Sequence, residues 1–125
     1  MHIIIPGPIP SKKNSRVGLN IKGRLINVPN GDFRKWHRRA SLAIAPQIIG
    51  KPTIEKCSSI SILFFMSDNR GRAYTNVAES VMDLLVDCEV IKDDQWQVTG
   101  PVHLLPGCPD PIDRTNPRAE VFINE

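Results

Sequence analysis

The sequence predicts a small α+β fold, in which a β-sheet of about four to five strands packs against two main helices. Three observations support this prediction. The chain has 125 residues, a length typical of one domain, and 41% of them are hydrophobic, which is enough to bury a small core. Several short runs have the composition of strands. Two longer stretches repeat apolar residues at helical spacing. We therefore expect a single domain that spans residues 1–125.

Five segments are predicted to form strands from their composition and from the turn residues that bound them. The second segment alternates on both sides of Lys22-Gly23, which indicates a hairpin. The third is almost continuously apolar and is expected to be an inner strand. The fourth is interrupted at Gly100-Pro101, so it is expected to be an edge or bulged strand. The segments are Met1–Ile5, Leu19–Val28, Cys57–Met66, Trp96–Leu105 and Ala119–Ile123.

The first predicted helix begins near Asp32, which can cap a helix N-terminus, and Pro46 is expected to end or kink it. Its apolar face comprises Phe33, Trp36, His37, Ala40, Ala43 and Ile44. Two i,i+4 pairs of like charge lie elsewhere on the helix, Arg34 with Arg38 and Lys35 with Arg39. Each such pair costs an isolated helix roughly a few tenths of a kcal/mol. The four cations therefore favour an anionic partner.

The second predicted helix carries acidic residues on the side opposite its apolar stripe. Thr75 is the predicted N-cap, after Ala73 in a loop. At about 100° per residue, Asn76, Glu79 and Asp83 share one face. The stripe comprises Val77, Val81, Leu84, Leu85 and Cys88.

A second acidic pair, Asp93 and Asp94, follows in the turn after this helix. Two carboxylates on the helix and two behind it are therefore expected to converge. Carboxylates that converge without basic partners repel one another, and a divalent cation relieves that repulsion. The sequence thus predicts a metal site at this end of the chain.

The charge of the chain is unevenly distributed, although its net value is only +3. Residues 11–39 hold nine Lys or Arg against one acid, a net +8, and the remainder carries −5. A basic part that binds a polyanion, joined to an acidic part that holds a metal, is one interpretation. An ordinary solvated basic surface is the alternative.

Several classes of protein are made improbable by composition. The longest apolar run is far shorter than a membrane span, and the N-terminus MHIIIPGPIP lacks the features of a signal peptide. Cys57, Cys88 and Cys108 are odd in number and widely spaced, so neither a disulfide framework nor a zinc site is expected. We expect a cytoplasmic protein without membrane association.

Five features occur in a characteristic order along Ile3–Ile123. An N-terminal strand is followed by PIPSKKNS, then by a basic helix that contains Trp36, then by N-x-x-E-S-x-M-D-x-L at residues 76–85 and D-D-x-W at residues 93–96. In this order they resemble the RusA family of small phage- and prophage-borne Holliday-junction resolvases. The resemblance implies a mixed α/β fold and a homodimeric, Mg²⁺-dependent endonuclease that cuts four-way DNA junctions. Leu, Ile and Val side chains of the acidic helix are candidates for the dimer surface.

The resemblance also implies roles for individual residues. The chain keeps Asn76, Asp83, Leu85, Asp93 and Asp94 of the family's motif, and it departs from that motif at Ala73, Thr75 and Glu79. The implied catalytic residues are Asp94, Glu79 and Asp83. The implied ligands of Mg²⁺, with Mn²⁺ as an alternative ion, are Asp94, Glu79 and Asp93. The implied DNA-binding residues are Lys12, Lys13, Asn14, Arg34, Arg38, Arg70 and Arg72.

Three hypotheses about function stay open at this point. The first is a metal-dependent endonuclease that resolves Holliday junctions in DNA recombination and repair. The second, motivated by Ala73 in place of an expected aspartate, is a homologue that binds branched DNA without cutting it. The third is a small interaction protein on the same fold.

Overall fold

The strands form two separate sheets, one of four strands and one that is a two-stranded hairpin. The structure, a computed structural model, describes residues 1–11, 16–21, 23–29, 31–69 and 73–125, with the backbone alone in the two hairpin strands. The strands are β1 (His2–Pro6), β2 (Arg16–Ile21), β3 (Arg24–Pro29), β4 (Ser59–Phe65), β5 (Val102–Pro106) and β6 (Arg118–Asn124). The helices are α1 (Gly31–Ile44), α2 (Tyr74–Asp87) and the one-turn α3 (Trp96–Thr99).

The larger sheet is mixed, with the strand order β1-β6-β4-β5. β6 is antiparallel to both of its neighbours, whereas β4 and β5 run parallel. The predicted α+β class is therefore confirmed, with two main helices and four strands in the main sheet. The hairpin β2–β3 is also confirmed, and Cys57–Met66 contains the predicted inner strand β4.

The core lies on one face of this sheet. In β1, β4 and β6 every second residue is buried, as the two-residue period of a strand requires when helices cover one face. The helices contribute the apolar faces predicted from their periodicity. The sheet residues of the core are Ile3, Ile5, Ile60, Ile62, Phe64, Ala119, Val121 and Ile123. The helix residues are Phe33, Trp36, Ala40, Ile44, Val77, Ala78, Val81, Leu84 and Leu85.

The prediction of one interrupted strand over Trp96–Leu105 is wrong in its first half. Trp96–Thr99 forms the one-turn helix α3, and only Val102–Pro106 is extended. The amide of Cys57 donates a hydrogen bond to Val98 O (2.8 Å), which holds this turn at the start of β4. Gly100 has a φ of +62°, and a Cβ at this position would collide with the carbonyl oxygen of Ser58. Only glycine fits this backbone, so the chain turns here before β5 begins.

Both predicted helix caps are displaced by one or two positions. The backbone of α1 is already helical at Gly31, so Asp32 lies in the first turn, where its charge still complements the helix dipole. The N-cap of α2 is Ala73, which has no side chain able to accept a hydrogen bond, and Thr75 lies inside the helix. The N-terminus of α2 therefore lacks the side-chain cap that the sequence predicted.

Most of the apolar side chains of α2 are not available as a dimer surface. Val81, Leu84 and Leu85 are fully buried in the core of the same chain. This corrects the interpretation of these residues as candidates for contact with a second copy, because burying them against the sheet is what holds the helix in place.

No helix in the described ranges combines the length and the apolar character that crossing a bilayer requires.

The two edges of the larger sheet differ. At the β1 edge, the side-chain amide of Gln47 accepts a hydrogen bond from the Ile4 amide (2.8 Å) and donates one to Ile4 O (2.8 Å). The indole of Trp36 donates a further hydrogen bond to Pro6 O (3.2 Å). At the β5 edge, no described residue forms comparable hydrogen bonds to the outer side of the strand.

Candidate metal and nucleic-acid site

Two carboxylates, Asp83 on α2 and Asp93 in the turn behind it, act on the carboxyl group of Asp94. Asp83 is half-buried on α2, Asp93 is half-buried in the turn, and Asp94 is exposed beside it. The backbone amide of Asp94 donates a hydrogen bond to Oδ1 of Asp93 (2.7 Å), which orients the two neighbouring side chains. Both Asp93 and Asp83 lie close enough to act electrostatically on the Asp94 carboxyl group.

The turn that carries Asp93 and Asp94 is fixed by its backbone. Glu89 adopts a left-handed conformation (φ 58°) just after α2, which reverses the chain. The amide of Ile54 then donates a hydrogen bond to Val90 O (3.0 Å), and Ile54 O accepts one from the amide of Lys92 (2.9 Å). Val90 and Ile91 are buried, so the acidic pair emerges from a segment that is anchored on both sides.

The pKa of Asp94 is raised above its ordinary value by these surroundings. The largest cause is the side-chain hydrogen bond with Asp93, followed by partial desolvation and then by the negative charges of Asp93 and Asp83. A carboxyl group whose nearest ionisable neighbours are other carboxylates favours its protonated form. A bound cation is the other way to relieve this repulsion.

Glu79 and Ala73 lie progressively farther from this group along α2. Glu79 is exposed one turn before Asp83, so their Cβ atoms are about 6 Å apart. It is not among the residues that perturb Asp94. Ala73 is ten residues before Asp83, about 15 Å along the helix axis. A carboxylate at position 73 and one at position 83 would therefore not share a single ion.

Within the described ranges, no three His, Cys, Asp or Glu side chains are arranged as they stand to enclose a metal ion. Asp93 and Asp94 nevertheless have no basic partner among the described residues. This donor set fits Mg²⁺, which is usually held by one or two carboxylates, with water and substrate phosphate completing its octahedron. It does not fit an ion that requires a complete cage of protein ligands.

The cations of α1 face solvent. Arg34, Lys35, Arg38 and Arg39 are exposed, and none forms an ion pair with a described residue. The helix therefore presents a row of positive charge, as its sequence predicts. Such a row attracts phosphate groups.

A hydrogen bond between His37 Nε2 and Asp87 Oδ2 (2.9 Å) joins α1 to α2 and orients this row. At about 100° per residue, Arg34 and Arg38 lie roughly 60° and 100° around α1 from His37. Lys35 and Arg39 lie on the far side, roughly 160° away. On α2, Asp83 lies about 40° from Asp87, in the direction away from the apolar stripe. Arg34 and Arg38 therefore border the side of α1 that approaches the acidic helix.

The remaining predicted DNA-binding residues, Lys12, Lys13, Asn14, Arg70 and Arg72, lie outside the described residues. The chain reaches the first of these segments through Pro10, whose carbonyl oxygen accepts a hydrogen bond from the Ser80 hydroxyl group. Ser80 follows Glu79 on α2. The point at which the chain enters the Lys12–Lys13 segment is therefore attached to the acidic helix.

Sequence reasoning missed two residues that organise this region. Ser80 is fully buried among the apolar residues of α2, and its place on that face was the available indication of a buried hydrogen bond. The sequence places His37 on the apolar face of the first helix, and the residue is half-buried, but its partner Asp87 was not foreseen. Nothing in the sequence pairs residues that are 50 positions apart.

A scan of protein-family models gives no match to this sequence, and a search of curated proteins gives none either.

Proposed function

We propose that this protein is a Mg²⁺-dependent, structure-specific endodeoxyribonuclease that acts in the cytoplasm, as a homodimer, on four-way DNA junctions. The observation that carries the proposal is the juxtaposition on α1 and α2. Asp83 and Asp93 act electrostatically on Asp94, and Asp93 and Asp94 have no basic partner among the described residues. α1, which carries four exposed cations, is joined to α2 by the hydrogen bond between His37 and Asp87. Hydrolysis of a phosphodiester needs these two components, a divalent cation and a positive surface that holds the backbone.

Each side chain has a separate task in this proposal. Asp94 and Asp93 would hold the ion, and Asp83 and Glu79 would complete the acidic surface or orient water. When bound, Mg²⁺ would supply an activated water and stabilise the leaving oxygen. Arg34 and Arg38 would bind phosphates of the strand and align it with the carboxylates. The fixed turn at Val90–Lys92 keeps the acidic pair in place while the strand binds.

Cleavage of a synthetic four-way junction tests the catalytic part. The wild-type protein is expected to nick the junction in the presence of Mg²⁺ or Mn²⁺ and to be inactive with EDTA. Asp94→Asn removes the charge that attracts the ion and keeps the shape, so the rate is expected to fall by more than about 100-fold. The matched control is Glu55→Gln, an exposed carboxylate elsewhere on the chain, which is expected to change the rate by less than about twofold.

The outcome decides between two hypotheses. Absence of cleavage at any concentration of either ion, with preserved junction binding, contradicts the enzyme and favours a protein that binds branched DNA without cutting it. One observation favours that second candidate: no three His, Cys, Asp or Glu side chains of the described residues are arranged as they stand to enclose an ion. A lack of preference for a junction over linear duplex contradicts both.

The nucleic-acid part is tested by the salt dependence of junction binding. Replacing both Arg34 and Arg38 by alanine is expected to reduce the slope of log K against log [salt] by about two, because two phosphate contacts are lost. Replacing Lys35 and Arg39, on the far side of α1, removes the same charge and is expected to reduce it by less than about one. Equal effects of the two double substitutions would contradict the proposed orientation of the strand along α1.

A further inference from the structure

The outer side of β5 is an open sheet edge. The amide of Ile60 donates to Pro101 O (2.9 Å), and the amide of Gly107 donates to Phe64 O (2.9 Å), so residues 101 and 107 bond toward β4. In a parallel ladder, every second residue of a strand forms its backbone hydrogen bonds with the same neighbouring strand. The amide and carbonyl groups of His103 and Leu105 therefore also bond to β4. The amide and carbonyl groups of Val102 and Leu104 therefore point away from the sheet. No described strand pairs with them.

The β1 edge of the same sheet differs from the β5 edge, because side chains form hydrogen bonds to its outward backbone groups. On β1 the outward groups of Ile4 are occupied by the side-chain amide of Gln47, and the outward carbonyl of Pro6 by the indole of Trp36. Folded proteins usually block or charge an exposed edge because unpaired strand groups recruit other strands. Here one edge is blocked by two side chains, and the other keeps its donors and acceptors available.

The side chains at the β5 edge are apolar, apart from His103. Trp96 is 76% exposed, Val102 38% and Leu105 43%, so three large apolar side chains are exposed on the strand and on the turn that leads to it. The strand VHLLP contains no Lys, Arg, Asp or Glu. The edge therefore lacks the charges that would keep another strand away, and it offers no charge with which a charged partner could pair.

We propose that β5 pairs in antiparallel orientation with β5 of a second copy of this chain, about a two-fold axis at Leu104. In this register each Leu104 donates its amide to, and accepts an amide from, Leu104 of the second copy. Each Val102 amide donates to Pro106 O of the second copy. His103 lies opposite Leu105 of the second copy on the outer face of the joined sheet. The result is one continuous sheet of eight strands.

The second copy is the favoured occupant because the edge complements itself. A two-fold contact uses the same surface twice, so a strand without Lys, Arg, Asp or Glu meets its own copy, and each His103 lies opposite Leu105 instead of opposite the other His103. The single proline, Pro106, falls at the outer rung, where its missing amide costs one hydrogen bond per copy and leaves the central pair intact. The pairing requires no nuclease activity, so it holds or fails independently of the proposed reaction, although it would supply the proposed homodimer.

The contact is small, and we expect a dimer that forms in the micromolar to millimolar range. Light scattering across a concentration series is expected to give twice the 14.0 kDa of one chain at high concentration. Leu105→Lys places a charge in the centre of the joined face and is expected to give the mass of one chain throughout. The matched control is Ile4→Lys, because Ile4 is 42% exposed on the other edge strand, and it is expected to dimerise like the wild type.

Amide hydrogen exchange provides a second test that involves no substitution. At low concentration the amides of Val102 and Leu104 are expected to exchange quickly, while those of His103 and Leu105 are protected by β4. At high concentration the Leu104 amide is expected to become at least about tenfold slower, and His103 and Leu105 are expected to stay as they were. Slower exchange at Leu104 alone indicates pairing at the outer edge of β5, whereas general stabilisation of the fold would slow the exchange of His103 and Leu105 as well.

Three outcomes would overturn the proposal. A wild-type mass of one chain at about 1 mM would exclude a second copy as the occupant. Dissociation by Ile4→Lys with no effect of Leu105→Lys would move the contact to the other edge. Unchanged exchange of the Leu104 amide in a proven dimer would place the contact on a different surface.

Discussion

Two aspartates of this protein, Asp113 and Asp94, have opposite surroundings. Asp113 accepts hydrogen bonds from the amides of Thr115 (3.3 Å) and Asn116 (3.1 Å), and Arg118 donates to its other oxygen (2.9 Å). These donors lower its pKa, with the Asn116 amide as the largest cause. The pKa of Asp94 is raised, chiefly by its hydrogen bond with Asp93.

The difference separates a structural carboxylate from one that is available for a ligand. Asp113 has donors for both of its oxygens and closes a loop. Among the residues that the structure describes, the charged groups that act on Asp94 are the carboxylates of Asp93 and Asp83, so folding brings together groups that repel one another. A fold retains such repulsion at little cost when a cation is present to cancel it, and sites of this kind coincide with function more often than satisfied ion pairs do.

Replacing Ala73 by aspartate tests the distinction between Asp113 and Asp94. Of the two experiments on stability, it has the larger expected effect on the free energy of unfolding. Ala73 is the N-cap of α2 and leaves the first amides of the helix without a side-chain partner. Ala73→Asp is expected to resemble Asp113, because backbone amides would hold it, and to raise the free energy of unfolding by about 1 kcal/mol. Chemical denaturation measures this change.

Ala73→Asn is the control for that experiment, since it caps the helix without a charge and is expected to stabilise to a similar degree. Neither variant is expected to change Mg²⁺-dependent cleavage, because position 73 is about 15 Å along α2 from Asp83. A large gain in cleavage with Asp alone would show that the metal site extends to the N-terminus of α2. The cluster of Asp83, Asp93 and Asp94 would then be only part of it.

The pH dependence of stability tests the comparison directly, with a smaller effect because both carboxyl groups are largely solvated. The lowered pKa of Asp113 contributes stability above the ordinary value of 3.8, and that contribution is lost as the pH falls through the lowered pKa. The raised pKa of Asp94 has the opposite sign. It favours the folded state below 3.8, and this advantage is lost as the pH rises through the raised pKa.

Asp94→Asn is therefore expected to be more stable than the wild type at neutral pH without Mg²⁺ and equal to it in acid. Asp113→Asn is expected to be less stable at neutral pH, with a difference that shrinks in acid. Thermal unfolding from about pH 3 to about pH 8 measures both differences. The same sign for the two variants at neutral pH would contradict the distinction drawn between these aspartates.

The elements of the fold were largely predictable from local pattern. The composition of the segments that form β1, β4 and β6 predicted strands, the apolar stripes of α1 and α2 predicted helices, and the structure confirms both. The short helix at Trp96–Thr99 was missed because its position is set by contacts with Cys57 and Ser58, which are about 40 residues away in sequence. The N-cap of α2 was misplaced by two residues for a similar reason, since helix ends are set by the chain around them.

The candidate site was predictable as a set of residue types but not as an arrangement. Helical spacing placed Glu79 and Asp83 on one side of α2, and the structure agrees. Which carboxylate lies nearest to Asp94 depends on how the turn at Glu89 reverses the chain, and spacing carries no information about that. The order of the strands was also beyond the sequence, so the contrast between the two sheet edges emerged only from the fold.

The amide of Gln47 has a consequence for how large an assembly of this protein can become. A sheet with two receptive edges can add copies at both ends and grow into a fibre without limit. Here Gln47 completes the hydrogen bonding of Ile4 inside the chain, so growth in that direction is closed. Together with the indole of Trp36 on Pro6, this glutamine would limit the proposed edge-to-edge pairing to two copies.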